Sequence, residues 1–139
     1  MLKQLVRSMI VLISLVSAIN AQSAQRFEIH IPFSFVLDGR SFSAGNYGVE
    51  RTDPTRPNIV TLKNLDDGIS SLILTQRVEK DKPSATSSLM FIQRAGKRYL
   101  FQVWNVGAMN GNQIPVPSDR KSRDPLSKNL KLVILRARH

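Results

Sequence analysis

Between Arg26 and Leu37 every second residue is apolar: Phe27, Ile29, Ile31, Phe33, Phe35 and Leu37, with Glu28, His30 and Ser34 among the residues between them. Side chains of an extended strand point alternately to its two faces, so this spacing commits the segment to a β-strand with one buried side. Pro32 falls on the opposite parity and has no N–H to contribute to a ladder. The strand is therefore expected at a sheet edge, or bulged near its middle.

The rest of the chain continues in the same manner. Asp38-Gly39 is a hairpin-type turn, and Ser43 to Glu50 reads as a turn feeding a short strand, with Tyr47 and Val49 on one face and Gly48 admitting another backbone. Asp53 to Pro57 is a loop. Asn58 to Leu65 and Ile69 to Val78 are two strands joined at Asp67-Gly68, and Glu79 to Ser84, charged and containing Pro83, is a solvent loop. Leu89 to Arg94 and Tyr99 to Trp104 flank Ala95-Gly96-Lys97-Arg98, the strongest hairpin signal in the chain, and are expected at the centre of a sheet. Gly107 to Ser118 and Asp119 to Asn129 read as one long loop, with room for a short helical turn in its second part, and Leu130 to Leu135 as a closing strand. Short strands separated by turns, with no helix after the N-terminal segment and no βαβ alternation, predict an all-β fold. A single small antiparallel β-sandwich or partly open β-barrel satisfies the pattern.

The N-terminus has a different character. Lys3 and Arg7 precede an apolar run from Met9 to Ile19 that is interrupted only by Ser14 and Ser17. A run this short falls below the roughly 20 residues that span a bilayer as a helix, which favours a cleaved signal peptide over an anchor. Cleavage after Ala21 fits best, with Ala18 and Ala24 as alternatives; a buried N-terminal helix is the lesser alternative for the same residues, against which the basic-apolar-small order argues. The chain divides accordingly into a signal peptide (1–21), a β-rich domain (22–118) and a basic C-terminal segment (119–139). With 139 residues there is room for one ordinary core.

Cysteine is absent, which excludes disulfides, thiolate metal sites, a cysteine nucleophile and a lipid-modified cysteine. No Asn-X-Ser/Thr acceptor occurs either. Export without disulfides points to a bacterial periplasmic or extracellular location.

The formal net charge is +10 and is unevenly placed: residues 119–139 alone hold seven basic and two acidic side chains. Such an excess attracts anionic partners without specifying one. Arg120, Lys121, Arg123, Lys128 and Lys131 are the candidate anion-binding residues, and an anionic envelope polymer or a membrane surface is the expected partner. Export argues against nucleic acid, so Tyr99, Phe101 and Trp104 are better read as packing residues than as a base-stacking platform. Exposed edges at the Pro32 strand and the terminal strand would also allow self-association.

Catalytic signatures are weak. His30 shares a strand face with Glu28, a pair able to do acid-base work, but no nucleophile accompanies it. His139 is the other histidine, too few for a zinc site, and Asp66-Asp67 lacks the spacing of a calcium loop. Neither a Gly-X-Ser-X-Gly elbow nor a phosphate-binding Gly-rich loop occurs. Glycoside hydrolysis needs only two carboxylates, for which Glu28, Glu50 and Asp53 are the first candidates. No catalytic, cofactor or metal residue is assigned, and no cofactor is expected.

The order Ile31-Pro32-Phe33-Ser34-Phe35, Ser43-Ala44-Gly45-Asn46-Tyr47, Phe91 to Gly96, Tyr99-Leu100 with Trp104, and Gly107 to Pro117 resembles a family of small secreted bacterial β-rich proteins. In that family an Ile-Pro-Phe-X-Phe strand precedes a Pro-Ala-Gly-X-Tyr turn, and a Phe-X-Arg-X-Gly-X-X-Tyr hairpin leads into a Trp-containing strand. Ser43 here replaces the turn proline, and Phe91 stands one residue further from Arg94. The resemblance implies a fold and export but supplies no activity or catalytic residue. Together these features predict a non-enzymatic binding or structural module at the bacterial cell envelope, the alternative being an extracellular carbohydrate-active enzyme with paired carboxylates.

Overall fold

A computed structural model describes residues 25–51, 53–116 and 131–138. Its strands are β1 (Gln25–Ile31), β2 (Phe35–Leu37), β3 (Arg40–Phe42), β4 (Gly45–Arg51), β5 (Ile59–Asn64), β6 (Ser70–Leu74), β7 (Gln76–Glu79), β8 (Ser88–Arg94), β9 (Lys97–Trp104), β10 (Asn110–Gln113) and β11 (Lys131–Arg136). They form two sheets packed face to face as a small β-sandwich, with no helix among the described residues. The first sheet has the order β1-β4-β5-β6. The second runs β11-β8-β9-β10-β7, with the β2–β3 hairpin joined to β9.

The alternating run from Arg26 to Leu37 is two strands rather than one. β1 pairs antiparallel with β4, Ile29 opposite Tyr47, at the edge of the first sheet. The ladder stops before Pro32, and the chain crosses to the second sheet, where Val36 of β2 pairs in parallel with Tyr99 of β9. Both sheets face one core, so Ile29, Ile31, Phe35 and Leu37 are all buried although the strand has changed sheet.

Ile69 to Val78 is divided in the same way. β6 pairs with β5 in the first sheet, and β7 pairs with β10 in the second. At the crossing, Thr75 is buried and both its N–H and its hydroxyl donate to the Asn58 carbonyl, each at 2.8 Å. Asn112 holds this corner from the opposite sheet. Its side-chain amide donates to Pro57 O and Thr75 Oγ1, both at 2.8 Å, and its oxygen accepts from Arg51 at 2.9 Å.

All three hairpins anticipated from the sequence are present, β5–β6 turning at Asp67-Gly68 and the other two through two-residue turns. Leu37 faces Arg40 across Asp38-Gly39, and Arg94 faces Lys97 across Ala95-Gly96. All four turn residues have positive φ (49°, 73°, 48° and 76°), the geometry whose twist matches that of the flanking strands. β8 and β9 are interior strands, as expected of the strongest hairpin.

The segment read as a loop after Gly107 contains β10, whose Asn-Gly-Asn-Gln sequence carries no hydrophobic alternation. What places it is fit rather than apolarity. A Cβ at Gly111 would stand 2.7 Å from Cδ2 of Trp104, so the indole lies directly on this strand. The Lys80 ammonium covers the Trp104 ring 3.9 Å from its centroid. Trp104 is buried there, apart from the main core.

That core is aromatic at one end. Phe35 stacks on Phe42 at 5.3 Å and meets Tyr47 and Phe91 edge-on at 5.4 and 5.5 Å, while Phe33 meets Phe91 at 5.0 Å. Such pairs contribute about 0.5–1.5 kcal/mol each beyond burial. The C-terminal run does close the second sheet: β11 pairs with β8, turning Val133 and Leu135 toward the core and leaving Leu132 and Ile134 exposed.

Candidate functional site

The turn Ser43 to Tyr47 supports a cleft at the edge of the first sheet. Tyr47 is buried in the core beneath this turn, and its hydroxyl donates to the Ser43 carbonyl at 2.6 Å, a side chain pinning the backbone a few residues upstream. The same oxygen accepts from Asn64 Nδ2 at 3.3 Å. Burial raises the pKa of this phenol, with the bond to Ser43 acting in the opposite direction. Asn64 Oδ1 in turn accepts from the Asp66 and Asp67 amides, which shapes the β5–β6 turn and sets Asp66 beside Gly45.

Asp66 orients the next two groups. Its carboxylate accepts from the Asn46 amide at 3.1 Å and from Asn46 Nδ2 at 3.4 Å. A carboxylate only accepts, so the Asn46 side chain must turn its oxygen the other way, and there it lies 2.9 Å from Nδ1 of His30. His30 Nδ1 therefore donates, and Nε2 is the nitrogen left for other partners. Period-two geometry puts Glu28 on the same face of β1.

Across the edge of β1 stands the end of β11. Glu28, Ile29, His30, Pro32, Asn46 and Leu65 line one wall of a cleft of about 570 Å³, and Leu135, Arg136 and Arg138 line the other. Glu28 is ion-paired with Arg26 at 3.3 Å, with both side chains well exposed. Arg136 and Arg138 make no hydrogen bond or ion pair among the described residues. The cleft thus presents two fork-shaped cationic donors, an imidazole with a fixed tautomer, a carboxylate and an amide. Guanidinium groups grip carboxylate or phosphate with paired donors, and the remaining polar groups suit hydroxyls.

Of the residues singled out from charge alone, Lys131 lies exposed at the start of β11, opposite Gln93, and is not among the cleft residues. Arg120, Lys121, Arg123 and Lys128 lie outside the described residues, as does the segment read as a signal peptide. The missed residues are Arg136 and Arg138. Their signal was the alternation Arg136-Ala137-Arg138 continuing the parity of a terminal strand.

The three carboxylates considered for glycoside hydrolysis do not meet in this cleft. Glu28 lines it. Glu50 faces Arg26 across the β1–β4 ladder, and Asp53 is engaged in its own turn, accepting from Thr55 N at 2.8 Å and Thr55 Oγ1 at 2.6 Å. No group of three His, Asp or Glu side chains able to hold a metal occurs among the described residues. No described helix is long and apolar enough to cross a membrane.

Fold and cleft together define a small all-β sandwich with a polar recess at one sheet edge. Comparisons with protein-family models, with curated proteins and with solved structures gave no match.

Proposed function

We propose that this protein is an exported, non-enzymatic module that binds an anionic glycan at the bacterial cell envelope. The observation that carries the reading is the placement of Arg136 and Arg138, without partners among the described residues, across one cleft from His30 and Glu28. A carboxylated or phosphorylated sugar supplies an anion for the guanidiniums and hydroxyls for Glu28, Asn46 and His30 Nε2. The basic N-region with its apolar run and the resemblance to secreted bacterial proteins support export. The excess charge of residues 119–139 adds a salt-sensitive attraction that brings polymer to the site.

The test is calorimetric titration of the purified protein with oligogalacturonate at low and at physiological salt, with neutral glucose oligomers as the control. Binding of the acidic oligomer alone, weakened about tenfold or more in an Arg136→Gln/Arg138→Gln variant, is the expected result. Undetectable binding at low salt, or affinity unchanged in that variant, would refute it. An Arg120→Gln/Lys121→Gln/Arg123→Gln variant separates the two contributions: it should reduce the salt dependence while leaving selectivity for acidic over neutral oligomers.

A further inference from the structure

A sheet edge is a row of unpaired backbone donors and acceptors, and proteins ordinarily guard it with charge, proline or brevity. The edge strands described here follow that rule with one exception. β1 carries Arg26 and Glu28 and ends at Pro32; β3 carries Arg40; β7 carries Arg77 and Glu79; β11 carries Lys131 and Arg136. β6 is Ser-Ser-Leu-Ile-Leu, and no charged residue occurs from Ile69 to Gln76.

The free edge of β6 can be assigned residue by residue. Asn64 N–H donates to Ile69 O and Thr75 N–H to Asn58 O, both at 2.8 Å, at the two ends of the β5–β6 ladder. Hydrogen bonding in an antiparallel pair alternates with period two, so the backbones of Ile69, Ser71, Ile73 and Thr75 face β5. The N–H and C=O groups of Ser70, Leu72 and Leu74 consequently point away from the sheet. Leu72 and Leu74 are also 76% and 69% exposed on the outer face.

We propose that β6 pairs antiparallel with β6 of a second copy of this chain, about a two-fold axis at Leu72. The arrangement is self-complementary, as a two-fold interface must be. Leu72 faces Leu72, Ser70 faces Leu74, and each of these rows closes with a reciprocal pair of backbone hydrogen bonds. The outer leucines of the two copies form one apolar stripe.

Electrostatics selects a second copy as the occupant. The chain carries +10, so most of its surfaces repel themselves, whereas β6 is itself uncharged, and the two charged residues of the β2–β3 hairpin that line a cleft with Ser70 to Ile73, Asp38 and Arg40, are opposite in sign. The nearest lysine on β5, Lys63, lies opposite Ser70. Under the two-fold its row continues to Leu74 and Ile59 of the second copy, so the two Lys63 side chains occupy different rows. The pairing does not depend on the anion-binding reading, since the cleft follows β1, at the other end of the β1-β4-β5-β6 order.

Light scattering of the purified protein over a wide concentration range, with Leu72→Lys as the variant, tests the assignment. A reversible dimer whose dissociation constant rises about tenfold or more in L72K is the expected outcome, because Leu72 contributes both its apolar area and the central row. The chain has no cysteine, so single cysteines report the register. Leu72→Cys should cross-link copy to copy, its Cα atoms about 5.5 Å apart, while Ser70→Cys alone should not. A monomer at all concentrations, a dimer indifferent to L72K, or equal cross-linking by the two cysteine variants would overturn the proposal.

Discussion

Asp66 occupies the space that a side chain on residue 45 would need: its Oδ2 lies 2.6 Å from where a Cβ of Gly45 would stand. Gly45 is therefore required by the carboxylate that orients Asn46 and, through it, His30. Gly45→Ala should cost about 1 kcal/mol, the worth of a displaced hydrogen bond, and should change the His30 ring signals in NMR spectra. In an Asp66→Ala background the same substitution should cost much less. Urea denaturation of the double-mutant cycle measures the coupling, and additive effects would show that the two residues do not interact.

Asn112 satisfies three groups that otherwise lack these partners at the β6–β7 corner: Pro57 O, Thr75 Oγ1 and the Arg51 guanidinium. Burial, followed by the nearby charge of Arg77, lowers the pKa of Arg51. Asn112→Ala should destabilise the fold by about 2–4 kcal/mol, since it strands buried polar atoms rather than deleting an isolated bond. A chemical denaturation midpoint within error of the parent protein would contradict this account.

Ala95 holds a φ of 48° at the first position of the β8–β9 turn, where Asn or Gly is the favoured residue. Ala95→Asn should stabilise the protein by about 1 kcal/mol and raise the melting temperature by a few degrees. The backbone is already in place, so no contact need change. A lower melting temperature would mean that the turn is held in some other way.

The Asp53 carboxyl is held below the usual range first by the Thr55 hydroxyl, then by the Thr55 amide, with Arg56 adding a smaller pull. A depressed folded-state pKa stabilises the protein above the ordinary carboxylate range, and that contribution fades as pH falls through the folded value. Thr55→Val removes the hydroxyl bond and keeps the amide bond, so the Asp53 pKa should rise part of the way back. An NMR titration of the carboxyl carbon reads this directly, and an unmoved midpoint would exclude the hydroxyl as the leading cause.

Much of the sandwich was legible in the sequence because hairpin turns and alternation are local. Asp38-Gly39 and Ala95-Gly96 lie at their turns, and β8, β9 and β11 lie where their apolar residues placed them. The change of sheet at Pro32 was hidden for a physical reason: both sheets bury side chains into one core, so parity continues unbroken across the switch, with Ile29, Ile31, Phe35 and Leu37 all buried. At Thr75 the parity does shift, from Ile73 and Thr75 to Val78, a single-residue break inside one apolar run. β10 was hidden because it is fixed by the indole resting on Gly111 and by the hydrogen bonds of Asn112, neither of which leaves an apolar pattern. For the cleft, charge density drew attention to the run beginning at Arg120. What brings Arg136 and Arg138 to His30 is instead the contact between the edges of β1 and β11, distant in sequence.

The crossing at Pro32 also governs the order in which the chain can mature. β1 finds its partner as soon as β4 has emerged, but Val36, four residues beyond Pro32, waits for Tyr99. The first sheet can assemble early, yet it remains tethered to a hairpin whose platform has not yet appeared. Until β8 and β9 arrive, Phe35 packs on Tyr47 without Phe91, and most of the inner face of the first sheet has no second layer to cover it. A nascent chain therefore passes through a stage with a half-built core, and folding is governed by this late, long-range closure rather than by the rapid hairpins. Once closed, the same tether couples the two sheets, so they should unfold together in a single transition.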